Sequence, residues 1–122
     1  MATLKTIEIK AFVPAKDYAL SKRFYKDMGF TMASDTDGMA YFHCGATSFL
    51  LQDFYVKELA DNFMMHMLVQ DVEAWWATLQ ASNLAGAYGV QISPIVEQRW
   101  RMRDFVVFDP SGVLWRIGQN NE

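Results

Sequence analysis

Two stretches of the chain follow the same plan, TIEIKAFVPAKDYALSKRFYKDMGF at residues 6–30 and FMMHMLVQDVEAWWATLQA at residues 63–81. In each, an extended apolar run leads to an aspartate, Asp17 or Asp71, and then to an amphipathic segment. Aspartate is a favoured helix N-cap, and apolar residues three or four positions apart form a helical face that packs on a sheet. The repetition within 122 residues predicts two pseudo-symmetric halves.

The first half is predicted as β-α-β-β-β. Alternating apolar residues predict a strand over residues 7–12 that stops at Pro14, and an apolar stripe predicts a helix over residues 17–28 that ends before Gly29. Three more strands are predicted, separated by turns at residues 35–38 and at Gly45. Their ranges are 30–33, 39–44 and 47–54.

The second half repeats this order after a polar connector at residues 57–62. Its predicted elements are a strand over 63–69, a helix over 72–81, a loop over 82–89, a strand over 90–97 and a hairpin of 105–108 with 113–118. The expected fold class is α+β, with tandem βαβββ modules at about 5–55 and 62–119 forming curved mixed sheets with helices outside. The whole chain, 1–122, is expected to be a single domain.

Composition excludes several partners. A formal net charge of −3 and a pI near 5.3 provide no basic surface for nucleic acid. No apolar run approaches the roughly 18 residues of a membrane span, so we expect no membrane partner and a cytoplasmic location. Cys44 is the only cysteine, which excludes an internal disulfide.

Three segments resemble the glyoxalase/bleomycin-resistance/dioxygenase superfamily, also called vicinal oxygen chelate proteins, and bleomycin-resistance proteins most closely. They are VPAKD at 13–17 running into FYKDMGF at 24–30, IVEQRW at 95–100 and DPSGVLWR at 109–116. The resemblance implies a homodimer with elements packed or exchanged across a two-fold axis. It implies no single reaction, because members include metal-dependent enzymes and proteins that only bind an antibiotic.

The resemblance also identifies where metal-dependent members hold their ion. Those four inward-facing positions correspond to Glu8, Gln52, Met64 and Arg116, with His66 next along the face of Met64. A guanidinium is always protonated and repels a cation, so we expect no metal and no cofactor. Glu8 and Arg116 are instead expected to form an internal ion pair, which either contacts ligand or ties the two halves together.

Trp100 lies in a polar segment between Arg99 and Arg101, away from any periodic apolar face. The resemblance implies that it stacks on the flat group of a drug, with Met39 at the position of its aromatic partner. Methionine cannot complete a two-sided aromatic sandwich, although its sulfur can pack on a ring. Tyr41 shares the strand parity of Met39 and extends the same wall.

The resulting hypothesis is a metal-free, non-catalytic binding protein, a homodimer that sequesters a planar or cationic antibiotic-like ligand, of the bleomycin class or another planar type. The expected ligand-binding residues are Trp100, Met39, Tyr41, Gln52, His66, Glu8 and Arg116, and no catalytic residue is assigned.

Two alternatives remain open. One is an enzyme of the same superfamily, a lyase, isomerase or dioxygenase, either with metal ligands in another register or with Glu8 or His66 as general base. The other is a regulatory module whose cleft has collapsed around Phe42, Phe49 and Met64.

Overall fold

Two four-stranded mixed sheets with the same internal order make up the protein. The computed structural model describes residues 3–121. The strands are β1 (Phe12–Pro14), β2 (Thr31–Thr36), β3 (Met39–Cys44), β4 (Thr47–Gln52), β5 (Met64–Leu68), β6 (Val96–Gln98), β7 (Met102–Phe108) and β8 (Leu114–Asn120). The helices are α1 (Tyr18–Met28), α2 (Lys57–Asp61), α3 (Val72–Ala81) and α4 (Leu84–Tyr88).

The first sheet has the order β1-β4-β3-β2 and the second the order β5-β8-β7-β6. In both, the first strand pairs parallel with the last, and the remaining neighbours are antiparallel. The predicted repeat and the α+β fold class with helices outside are therefore confirmed.

Both predicted helix caps are present. Asp17 accepts a hydrogen bond from the Leu20 amide at 3.1 Å, and Asp71 accepts one from the Ala74 amide at 3.0 Å. Helix α1 ends at Gly29, whose φ of 118° lies in the region that favours glycine. Helix α1 and helix α3 thus begin where the two aspartates predict.

The helix-facing sides of the two sheets share one core. Phe49 of β4 and Trp115 of β8 pack with their ring centroids 5.2 Å apart, and Tyr25 of α1 contacts both rings. All three residues are buried. The halves are therefore joined through their buried sides, which leaves the opposite faces of both sheets outside the core.

A buried polar network crosses the same junction. The Tyr25 hydroxyl donates to Asp109 Oδ2 at 2.5 Å and accepts from Trp115 Nε1 at 2.9 Å. Asp109 Oδ1 accepts from the amides of Ser111 and Val113, which fixes the turn before β8. Burial is the main cause that raises the pKa of Asp109, and it also raises the pKa of Tyr25 well above its ordinary value.

The strand predicted over residues 7–12 is wrong for most of its length, since β1 covers only Phe12–Pro14. Residues 3–11, which we call the arm, form no strand. Glu8 binds side chains on the surface of β3 and β4, so the arm crosses the sheet instead of following its edge.

Two short helices were missed, and one strand was predicted too long. Helices α2 and α4, of five residues each, replace the predicted connector and loop, because segments this short carry no helical periodicity. In the strand predicted over 90–97, only Val96–Gln98 and an isolated bridge at Ile92 pair with β7. Pro94 has no amide to donate, and the Ser93 side chain binds the Val106 amide in place of a regular ladder.

Replacing Tyr25 by Phe should lower the free energy of unfolding by about 1–3 kcal/mol, because Asp109 and the Trp115 indole each lose a buried partner. Denaturant unfolding of both proteins measures the difference. Tyr55→Phe is the matched control, since no hydrogen bond of the Tyr55 hydroxyl is found among the described residues. Equal losses in the two variants would show that the buried network adds nothing.

The stabilities of wild type and of Tyr25→Phe should respond differently to alkaline pH. The pKa of Tyr25 is raised by folding, so its contribution is complete below the unfolded pKa of about 10 and is lost as the pH rises above it. Between pH 8 and pH 11 the stability difference between wild type and Tyr25→Phe should shrink by about 1.4 kcal/mol. A difference that stays constant across this range contradicts the assignment.

Candidate ligand-binding faces

The first sheet turns a mixed polar and apolar surface away from the helices. In β3 and β4 the buried residues Ala40, Phe42, Phe49 and Leu51 alternate with partly exposed ones. The register pairs the exposed residues with one another across the strands. The resulting first face carries Met39, Tyr41, His43, Ser48, Leu50 and Gln52. The structure therefore brings Met39, Tyr41 and Gln52 of the predicted site onto one surface.

The second sheet has a corresponding second face. His66 of β5 and Val106 of β7 flank Arg116 of β8 in the strand register. Met64 and Leu68 lie two positions before and after His66, and both are exposed. His66 and Arg116, two further residues of the predicted site, are thus direct neighbours on this surface.

Arg116 is held in place by a buried carboxylate on the neighbouring strand. Asp104 of β7 is 1% exposed, and its Oδ2 accepts from Arg116 Nη1 at 3.0 Å. Its Oδ1 accepts from Gln98 Nε2 at 2.9 Å. Gly118 lies opposite Asp104 in the register, where a Cβ would stand 2.7 Å from Met102 Sδ and 3.2 Å from Asp104 Cβ. A side chain at Gly118 would therefore crowd this group.

The predicted ion pair between Glu8 and Arg116 is wrong. Glu8 accepts from Lys10 Nζ at 2.6 Å, from Ser48 Oγ at 2.6 Å and from the Tyr41 hydroxyl at 3.2 Å. These bonds, that from Lys10 first and that from Ser48 next, lower the pKa of Glu8 to about 2. Glu8 therefore belongs to the first face and Arg116 to the second.

Sequence reasoning missed Asp104, the partner of Arg116, and Gln98, which donates to Asp104. A signal for Asp104 was available in the hairpin of β7 and β8. Asp104 and Val106 have the same strand parity, and Val106 pairs with Arg116. A carboxylate one step along the same face is within reach of a guanidinium.

Trp100 lies in the turn between β6 and β7, next to Arg101, whose φ is 61°. Its side chain is 60% exposed, and it takes part in none of the aromatic pairs of the described core. The indole is therefore accessible at one end of the second sheet.

The predicted site residues form two groups, not one. No hydrogen bond or ion pair joins the two faces within residues 3–121. They approach each other at a cleft of about 180 Å³, lined by Ser48, Phe49, His66 and Trp115 among others. Pockets for drug-sized ligands usually measure about 300–1,000 Å³, so this cleft alone does not enclose one.

The donor set does not fit a divalent metal ion. Of the four positions named from the resemblance, Glu8 is already hydrogen-bonded to side chains of the arm and of the first face, and Arg116 carries a fixed positive charge. Gln52 and Met64 are neutral and lie on different sheets. Within the described residues no three His, Cys, Asp or Glu side chains gather closely enough to hold an ion.

None of the helices in the described part of the chain is long and apolar enough to cross a membrane. The longest of them, α1, has 11 residues.

Comparison with known proteins identifies the family. A model of the Glyoxalase/Bleomycin resistance protein/Dioxygenase superfamily matches residues 7–117, nearly the whole chain. The chain belongs to this superfamily. No curated protein sequence matches the chain significantly.

Solved structures with this fold include binding proteins and an enzyme. A bleomycin resistance determinant encoded on the transposon Tn5 is 20% identical, with a TM-score of 0.79, covering 96% of this chain and 100% of the other. A bleomycin-binding protein from Streptomyces verticillus, complexed with copper(II)-bleomycin, is 19% identical, with a TM-score of 0.77 and coverage of 98% and 99%. Lactoylglutathione lyase from Agrobacterium tumefaciens is 16% identical, with a TM-score of 0.69 and coverage of 96% and 96%. At these identities the likeness establishes the fold alone.

Proposed function

We propose that this protein is a metal-free binding protein that sequesters a planar, antibiotic-like small molecule as a cytoplasmic homodimer. The observation that carries the proposal is the pair formed by Arg116 and Asp104. It fixes a guanidinium on an open sheet face with exposed apolar side chains, at a position that the resemblance assigns to a metal ligand in metal-dependent members. Such a surface can bind a ligand without catalysing a reaction.

Each predicted site residue has a role in this proposal. Trp100, exposed at the end of the second sheet, stacks on the ring system of the ligand. Met39 and Tyr41 form an opposing wall on the first face, and Gln52, opposite Met39 in the register, supplies an amide. His66 and Arg116 give polar contacts on the second face, and Glu8 orders Tyr41.

The arm and the small cleft support the homodimer. Leu4, Ile7 and Ile9 are 93%, 94% and 96% exposed, an unusual concentration of bare aliphatic side chains in one short segment. A second copy that covers the arm would remove this surface from water. It would also bring further walls to the two open faces, which one chain leaves apart.

Two fold relatives support the binding function more directly than the sequence does. The protein from Streptomyces verticillus was solved with copper(II)-bleomycin, and the Tn5 protein is a bleomycin resistance determinant. Met39 stands where the resemblance places an aromatic residue, so the proposed site offers a ligand only one aromatic stacking partner. The proposal therefore extends to planar antibiotics other than bleomycin.

The enzyme alternative is favoured by the likeness to lactoylglutathione lyase. The state of Glu8 weighs against it, because a carboxylate with a pKa of about 2 is a weak general base at neutral pH. Elemental analysis of protein purified without chelator separates the two functions. About one equivalent of a transition metal per chain would support the enzyme.

The collapsed-cleft alternative is wrong in its structural expectation. Phe42 and Phe49 lie in the core on the helix-facing side of the first sheet. Met64 is 60% exposed on the second face. These three side chains therefore do not fill a common cavity.

Trp100→Ala should weaken the binding of planar antibiotics by about 5-fold to 150-fold, since stacking on an indole is worth about 1–3 kcal/mol. Calorimetric titration of both proteins with bleomycin-class and other planar compounds measures the effect. Leu59→Ala, which truncates an exposed apolar side chain on α2, is the control and should bind normally. Failure of every compound to bind the wild type would refute the proposal.

Replacing Ile7 and Ile9 together by Asp should convert the homodimer to a monomer, because charges cannot be buried at an apolar contact. Sedimentation velocity at several concentrations measures the change in mass. Leu59→Asp places one such charge at an exposed site outside the arm and should leave the dimer intact. A wild type that sediments as a monomer at high concentration would contradict the assembly.

A further inference from the structure

We propose that Arg116 binds an oxyanion, and that the ligand of the second face is an organic acid, an apolar body that carries a carboxylate or an equivalent anionic group. The inference rests on the proposed binding function and defines the chemistry of its ligand. It also revises the expectation of a cationic ligand.

The first argument is the way in which Arg116 is presented. A guanidinium has five N–H donors, and among the described residues Arg116 gives a hydrogen bond only to Asp104. Its side chain remains 27% exposed, whereas that of Asp104 is 2% exposed. The buried carboxylate therefore fixes the guanidinium from the neighbouring strand, and the remaining donors are available to the open face.

The second argument is the direction of the charge. Asp104 lies beside Arg116 on the same face, but its side chain is 2% exposed against 27% for Arg116, so a ligand on this face meets the guanidinium and not the carboxylate. In residues 64–68, 96–98, 102–108 and 114–120, no other acidic side chain has the parity of this face. Glu97 points to the other side, where Arg103 pairs with it at 3.5 Å. Within these strands the second face thus exposes a guanidinium and no acidic side chain.

The third argument is the surroundings of the guanidinium. His66 is exposed beside Arg116, and its Nε2 lies 3.4 Å from Met102 Sδ, a weak partner. An N–H of the imidazole can therefore serve the same oxyanion. Met64, Leu68 and Val96 are 60%, 52% and 47% exposed on this face. A binding site for one anionic group, surrounded by apolar surface, suits a ligand that has one acidic group and an apolar body.

A matched pair of probes tests the charge preference on the wild type. 2-Naphthoate and 2-naphthylmethylammonium share a ring system and differ in the sign of their charge. Hydrogen bonds to a charged group at this site should make naphthoate bind about tenfold to a hundredfold more tightly. Calorimetric titration at low ionic strength measures both affinities.

Variants then assign the preference to Arg116. Arg116→Gln should remove it, and Arg116→Lys should keep part of it, because lysine retains the charge but loses the planar fork. Arg103→Gln is the matched control. Arg103 lies on β7 and is also salt-bridged, but it pairs with Glu73 on the helix side, so its loss should leave the preference unchanged. Thermal melts confirm that each variant is folded.

The outcomes separate this inference from the proposed function. If both probes bind equally and both weaken in Trp100→Ala, the binding function stands and the anion site is overturned. The anion site is also overturned if naphthoate binding leaves the Arg116 Nε–H resonance in an NMR spectrum unmoved. If neither probe nor any planar antibiotic binds, both proposals fall together.

Discussion

The hydrogen bonds around Asp109 are the constraint on which the two-half architecture depends. A carboxylate taken out of water at this point must be satisfied by the Tyr25 hydroxyl and by the amides of its own turn. The Tyr25 hydroxyl also accepts a hydrogen bond from the Trp115 indole N–H. Helix α1 of the first half and strand β8 of the second are therefore joined at this point. The aromatic core then packs around this polar centre.

Joining the halves through their buried sides has a direct consequence for function. Each sheet can bury only one face against the helices, so the other face is available for a ligand or for a second chain. The order of apolar and polar residues in the strands agrees with this arrangement. Core aromatics such as Phe42 alternate along a strand with surface groups such as Tyr41, and one chain exposes two sheet faces.

Much of the fold could be predicted from local patterns, and the site could be predicted only in part. Asp17 and Asp71 begin helices, and β3 and α3 have the predicted limits, because periodicity and capping act over a few residues. Strand parity predicted Tyr41 on the face of Met39 and His66 on that of Met64, as the structure has them. The expected contact between Glu8 and Arg116 depended on how the two halves face each other, which no local pattern contains, and Glu8 was therefore assigned the wrong partner.

The arm shows the same limit in another form. Alternating apolar residues predict a strand, but a strand forms only beside another strand that shares its backbone hydrogen bonds. In the arm, the Glu8 side chain is instead bonded to the surface of the sheet. Whether Trp100 and the other assigned residues contact ligand stays a prediction, since exposure allows contact without requiring it.

If the protein binds a ligand and dimerises as proposed, the anchoring of the arm couples the two equilibria. Glu8 bonds the hydroxyls of Tyr41 and Ser48, so a ligand that bonds those hydroxyls must first release the segment carrying Ile7 and Ile9. Thermodynamic linkage then requires ligand binding and dimerisation each to shift the equilibrium constant of the other by the same factor. For such a molecule, a dissociation constant has meaning only at a stated protein concentration.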